Sequence, residues 1–332
     1  MKTNIVLSLV TVAVIAGLAV ACSKSNSTNG NSGTSNSPNT SPAQVETQAN
    51  DETQVSNELD NATNDVNNSL NVSTSFSGTT STGYSGVQTD GGGSIDINYG
   101  ICDATVTTDT ANGLRQLVIT YNGSNCWGNR TRTGVIVISI PLGVHWKDAG
   151  AVVTVDIQNL KITRKMDNKT IVLNGTYTYT NVSGGLLKDL ATLGTITHTI
   201  AADSVSIEFA DSATRIWSVA KQRVFTYNDG IVITTTGIHS DGTNTNVSVW
   251  GVTRYGNSFE TLIVQPKVIA QSCDFQLISG ETETIRPAVT TTITYGLDSN
   301  GNPTGCPVNG GYYYYKETWT INGKTYTWIA PY

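Results

Sequence analysis

The chain has 332 residues, enough for one large all-β domain or two smaller ones, and charged residues supply 13% of it, about half the usual share. Its formal net charge is -6, and no run of Lys and Arg could neutralise a row of phosphates, which argues against nucleic acid as a partner. Thr, Ser, Asn and Gly fill the places that charge leaves, a composition suited to exposed sheet faces and tight turns.

At the start, Lys2 provides a positive charge, Ile5 to Ala21 are uncharged and apolar, and small residues precede Cys22. This predicts a targeting segment over residues 1–21. As an uncleaved anchor it would lie at the lower limit for crossing a bilayer. In Ala19-Val20-Ala21-Cys22 the chain resembles bacterial lipoproteins, whose signals end in a lipobox, usually Leu, two small residues and the Cys that receives the lipid. It departs from the pattern at Ala19, with Leu18 one place early. The resemblance covers residues 1–22 and implies that Cys22 is lipidated, holding the membrane stably through more than one acyl chain. No acidic residue directly follows Cys22, which in many such lipoproteins goes with the outer membrane, on either its periplasmic or its cell-surface face.

Taking Cys22 out of the count leaves Cys102, Cys126, Cys273 and Cys306. In an oxidising compartment these predict two disulfides. No Cys-x-x-Cys occurs, and His145, His198 and His239 are remote from the cysteines in sequence, so a metal site is the weaker use. No cofactor is expected.

Residues 22–42 are Ser-, Asn- and Gly-rich with no large apolar side chain, a flexible tether spanning roughly 25 Å. Residues 43–93 hold a short helix and a Gly/Ser/Thr linker. Val55, Leu59, Ala62, Val66 and Leu70 recur at three- and four-residue intervals, one face of an amphipathic helix. Its other face is acidic and Asn-rich, poor in helix propensity, so the expectation is weak docking on the β-body or partial fraying.

Over residues 94–332 the pattern alternates with period two. In 169–182, Ile171, Leu173, Tyr177 and Tyr179 share one face, with Asn174, Thr176, Thr178 and Thr180 on the other. Ile285, Val289, Ile293 and Tyr295 alternate in the same way with Thr284, Thr290 and Thr292. Further strands are predicted near 103–109, 114–121, 131–140, 151–165, 195–209, 214–227, 231–238, 245–254, 258–264, 311–321 and 324–330. The phase slips at Gln158-Asn159, as at a β-bulge. Turn signals such as Asn228-Asp229-Gly230, Gly256-Asn257 and Asn322-Gly323 separate neighbours, and residues 184–194 form the one candidate helix inside the β-body. The fold class is all-β: a large antiparallel meander, either an open half-barrel or barrel-like. A weak echo pairs Cys-Asp, Ile-Thr-Tyr and a Gly/Asn loop with Cys in each half. From it the disulfides are read as local, Cys102 with Cys126 and Cys273 with Cys306.

The C-terminal hairpin gathers Tyr313, Tyr315, Trp319, Tyr326 and Trp328 on one face, with Trp319 opposite Tyr326 and Glu317 opposite Trp328. Such a face is either a platform for a sugar or lipid or simply core, where large aromatics contribute most. Catalytic templates are missing: no Gly-x-Ser-x-Gly, no His-Glu-x-x-His, no phosphate-binding glycine loop. His145, with Trp146, Lys147 and Asp148, is the best polar cluster elsewhere. Residues 298–305 start like a calcium loop, but Pro303 replaces the required glycine. Asp109-Thr110-Ala111, Asp203-Ser204-Val205 and Asp211-Ser212-Ala213 are similar to sites of surface O-glycosylation. The β-body resembles Thr/Asn/Gly-rich lipoproteins of Gram-negative bacteria, which bring no activity with them. The expected function is a lipid-anchored, non-enzymatic envelope domain; the alternatives are a glycan-binding or carbohydrate-active lipoprotein and a transmembrane barrel.

Overall fold

The computed structural model describes residues 41–79, 101–307 and 311–332. Cys22, the signal segment, most of the tether and the linker after residue 79 lie outside the described residues.

The first described element, α1 (Pro42–Val72), opens on a capping box in which Ser41 and Gln44 satisfy each other's backbone N–H, with Pro42 in the first turn. It is followed by α2 (Thr74–Ser77). The apolar row Val55, Leu59, Ala62, Val66 and Leu70 is buried as the periodicity predicts. The rest differs from expectation: α1 is 31 residues long rather than short, and it is not weakly docked. Gln48, Asn50, Asp51, Glu52, Gln54, Glu58 and Asp60 are buried too. Apolar spacing reported one face because that row is hydrocarbon; Val45 and Ala49 pack on other apolar clusters, and the acids are buried against charge.

Fourteen strands then form one antiparallel sheet. They are β1 (Ala104–Ala111), β2 (Leu114–Ser124), β3 (Arg130–Pro141), β4 (Ala151–Arg164), β5 (Thr170–Asn181), β6 (Thr195–Phe209), β7 (Thr214–Tyr227), β8 (Ile231–Gly237), β9 (Val247–Val252), β10 (Ser258–Ala270), β11 (Gln276–Arg286), β12 (Val289–Leu297), β13 (Tyr314–Ile321) and β14 (Lys324–Pro331). Neighbours in sequence are neighbours in the sheet, with one exception: β8 and β9 both lie between β7 and β10. β1 and β14 form the two ends of the path. The candidate helix at 184–194 becomes a 3-10 turn at Leu187–Asp189 followed by α3 (Leu190–Leu193).

Several local expectations hold to the residue. β5 buries Ile171, Leu173, Tyr177 and Tyr179 and turns Thr176 and Thr178 to solvent. The bulge falls between Ile157 and Leu160, with Asn159 at φ 49. In the last hairpin Trp319 pairs with Tyr326 and Glu317 with Trp328 around Asn322-Gly323. The disulfides are Cys102–Cys126 and Cys273–Cys306.

Two strand expectations are corrected. β10 runs to Ala270 instead of stopping near 264, crossing Pro266 by shifting register, because proline cannot donate to a ladder. The run from Thr284 to Tyr295 is two strands, reversed at Pro287-Ala288 between the paired Arg286 and Val289. Ile285 turns outward while Thr282, Thr284 and Arg286 face inward.

The sheet curls about α1. Consecutive helical residues point about 100° apart. Asn50 contacts Arg164 of β4 and Tyr315 of β13, Asp51 meets Arg254 after β9, and Glu52 meets Arg286 of β11. Three successive side chains thus meet protein in three directions, and the helix lies inside the curl.

Candidate functional site

Acids on α1 and bases on the strands meet in this interior. The helix carries Glu46, Asp51, Glu52, Glu58, Asp60 and Asp65 and no Lys or Arg. Five of those acids are ion-paired. Arg254 grips Asp51 with two nitrogens at 2.6 and 2.7 Å, and Arg286 reaches Glu52 at 2.7 Å. Arg130 pairs with Glu58. Arg132 bridges Asp65 at 2.7 Å and Asp103 at 2.6 Å.

Asp60 accepts from three bases, Lys221 at 3.1 Å, Arg223 at 2.9 Å and Lys267 at 2.6 Å. Burial pushes its carboxyl up, but the three cations outweigh burial and hold it far below the usual range. The excess positive charge falls on Lys221, which burial, Lys267 and Arg223 pull down to about 8. Asn64 and Ser56 of α1 take the remaining donors of Arg223 and Lys267 at 2.9 and 3.0 Å. At Asp51 burial wins over Arg254 and lifts the carboxyl to about 6.

Glu317 of β13 is the opposite case. It is 0% exposed, and neither carboxyl oxygen has a hydrogen-bond partner. Burial lifts it to about 9 despite the pull of Arg286, so it is held as the neutral acid at pH 7. His198, between Tyr179 and Trp146, is pushed down to about 3 by burial and by Arg223.

The aromatic face of the C-terminal hairpin belongs to the core. Tyr313, Tyr315 and Trp319 are buried, and Tyr326 and Trp328 are half-buried against them. Asn50 of α1 donates to the Tyr315 hydroxyl at 3.5 Å, and Trp319 packs with Val45 and Val289. These five rings present no open platform, because α1 occupies the side they face. The two voids beside α1 are about 20 Å³ each, room for one water.

Around His145 the loop is a clamp: Trp146 is buried and donates its backbone N–H to Phe76 at 2.7 Å. A Cβ on Gly78, at φ 72, would strike the His145 ring at 2.6 Å. Asp298 accepts from the backbone of Asn300 and Asn302, which makes 298–305 a closed turn. Thr110, Ser204 and Ser212 are exposed. Among the described residues no group of three His, Cys, Asp or Glu could hold a metal ion, and no helix is long and apolar enough to cross a membrane. No family model, curated protein or solved structure matches the chain.

The strand cations are what the sequence reading passed over. Lys221 and Arg223 lie in phase with Trp217, Val219 and Phe225 of β7, and Arg130 and Arg132 lie two apart at the start of β3. Bases at core-phase positions, together with a helix holding acids alone, were the available signal.

Proposed function

We propose that this chain is a lipid-anchored, non-enzymatic domain of the bacterial cell envelope, held at the outer membrane by acyl chains on Cys22 and working through the outside of its sheet. One observation supports the reading above all: the concave face, where a curled sheet would otherwise receive a ligand, is filled by the chain's own helix to within a water molecule. The outward side chains of the long strands are rich in Thr, as at Thr154, Thr176 and Thr178. They offer hydroxyls to a partner but no apolar band of the kind a lipid-facing barrel requires. α1 follows the tether directly, so the anchor would join the protein at its most buried element.

Palmitate labelling and membrane fractionation test this. The native chain should incorporate labelled palmitate and sediment with outer membranes, and Cys22→Ala should lose the label and become soluble. An unlabelled native chain overturns the anchor. A Cys22→Ala protein that resists carbonate extraction overturns it in favour of a transmembrane barrel.

A further inference from the structure

The sheet departs from simple order at one place. β8 pairs with one end of β7 and β10 and β9 with the other, so the two strands lie in line and residues 238–246 loop out between them, closed by the His239–Val247 bridge. The base of the loop is tight. A Cβ on Gly237 would lie 2.0 Å from the Asn246 carbonyl oxygen, so only glycine fits there. The loop is also braced: Asp241 accepts from the backbone of Thr243 at 2.7 Å and Asn244 at 2.6 Å, and Ser240 bonds Gly242 and Asn244.

This braced loop lays His239 flat on Trp250 of β9, with ring centroids 4.0 Å apart and planes 15° from parallel. Every other ring pair among the described residues has a buried member; here both rings are half-exposed. Trp250 stands in an outward row with Ser218 on one side and Glu260, then Ile285, on the other. Glu260 accepts from the Asn244 side chain at 3.1 Å. A flat apolar surface therefore adjoins a carboxylate, an amide and a hydroxyl, all on strands or on a braced loop.

We infer that this outer-face cluster is a carbohydrate-binding site for neutral sugars. The C–H face of a pyranose ring stacks on the electron-rich face of an aromatic ring. Glu260 would accept from sugar hydroxyls, and Asn244 and Ser218 would complete the set. Glu260 has the Asp241 carboxylate of the loop beside it and no Lys or Arg stands in the row, so the occupant is an uncharged polyol and not an anionic headgroup or phosphate. The inference deepens the proposed function by giving the outer face a ligand class, and it rests on that face being the working surface.

Co-sedimentation of the detergent-solubilised full-length protein with chitin, cellulose and insoluble mannan tests it. The native protein should pellet with at least one of them above an albumin control. Trp250→Ala and the double variant Asn244→Ala/Glu260→Gln should each lose about tenfold in apparent affinity, the effect of roughly 1.4 kcal/mol, with unchanged melting. Should Trp250→Ala fail to fold, the polar double variant decides alone. No pelleting on any of the three polymers, or equal pelleting by native and variant proteins, overturns the inference. Palmitate labelling is unaffected by either result, so the proposed anchor and this site fail separately.

Discussion

The two halves of the sheet face the same helix with different chemistry. Through the middle of β2 to β6 the inward positions are Leu117, Ile119, Ile136, Ile138, Val153, Val155, Leu173 and Ile200, an ordinary hydrocarbon core. In β7, β10 and β11 the inward positions include Lys221, Arg223, Lys267, Thr282, Thr284 and Arg286 among apolar residues such as Val219, Phe225 and Ile263. Both halves alternate faithfully, so alternation marks which side is enclosed. What fills that side is dictated by the opposing surface. The apolar row of α1 meets the middle of the first half, Glu58 and Asp65 meet Arg130 and Arg132 at the start of β3, and Glu52 and Asp60 meet the cations of the second half. Buried ion pairs contribute little net stability compared with well-packed hydrocarbon, yet breaking one is costly. We therefore read the charged half as setting the depth and rotation of α1, and the apolar half as supplying most of the stabilisation.

The most severe way to break this contrast is Asp60→Asn. It leaves Lys221, Arg223 and Lys267 without a counter-charge in a dry interior, and the expected loss is about 3–5 kcal/mol in denaturant unfolding. Leu173→Ala in the apolar half should cost about 2–5 kcal/mol by cavity formation. The two are separable by pH: Asp60 is what holds the Lys221 pKa up to about 8, so in Asp60→Asn the lysine releases its proton at lower pH and the defect should lessen as pH rises toward 8, while the Leu173→Ala defect should not. A loss under about 1 kcal/mol for Asp60→Asn would mean that water reaches the cluster and that the half is not truly buried.

Trp319→Ala comes next. The ring is 3% exposed and packs against Val45 near the start of α1, so removing it should cost about 3 kcal/mol or more. Trp328→Ala, half-buried on the same face, should cost less. If Trp319→Ala instead melted like the native protein, the aromatic face would be open and the platform reading would return.

Glu317→Gln should stabilise. The native carboxyl has no partner and is lifted to about 9, so the folded state holds its proton more tightly than the unfolded state does. For such a group native stability declines as pH rises from about 4.5 to about 9. The glutamine variant lacks this decline. Its advantage should be absent at pH 4 and grow to about 1–3 kcal/mol by pH 8. Denaturant melts across that range check it; an advantage equal at both pH values would remove the carboxyl as its cause.

The sequence carried the sheet well and its filling poorly, for one physical reason. Strand spacing, the Asn159 bulge, the Asn322-Gly323 turn and the outward Thr residues are local properties, set by φ, steric fit and a period of two. Which side Ile285 takes is not local. It turns outward because Thr284 and Arg286 are drawn toward Glu52, some 230 residues earlier in the chain. In the same way the aromatic hairpin reads identically as platform or core until α1 is laid against Tyr315. The His239–Trp250 stack depends on the loop that interrupts β8 and β9, which leaves no trace in periodicity.

The smallest effect is the sharpest on charge excess. With three cations on one carboxylate, Lys221 is the base least supported, since Arg223 also bonds Asn64 and Lys267 also bonds Ser56. Its pKa is depressed from 10.5 to about 8, so the folded state binds its proton less tightly than the unfolded state does. The sign follows: the destabilisation is complete below about pH 8 and fades as pH rises from there toward 10.5. Replacing the lysine with methionine removes the charge and keeps the stem, so Lys221→Met should be neutral or stabilising by about 1 kcal/mol at pH 7. It should also remove the rise in stability between pH 8 and 9.5. In the Asp60→Asn background the same change should restore part of what was lost, because it removes one of three unpaired cations. A double-mutant cycle with no coupling would show that Lys221 and Asp60 do not share the buried charge, and the second half of the sheet would then be a set of separate pairs rather than one cluster.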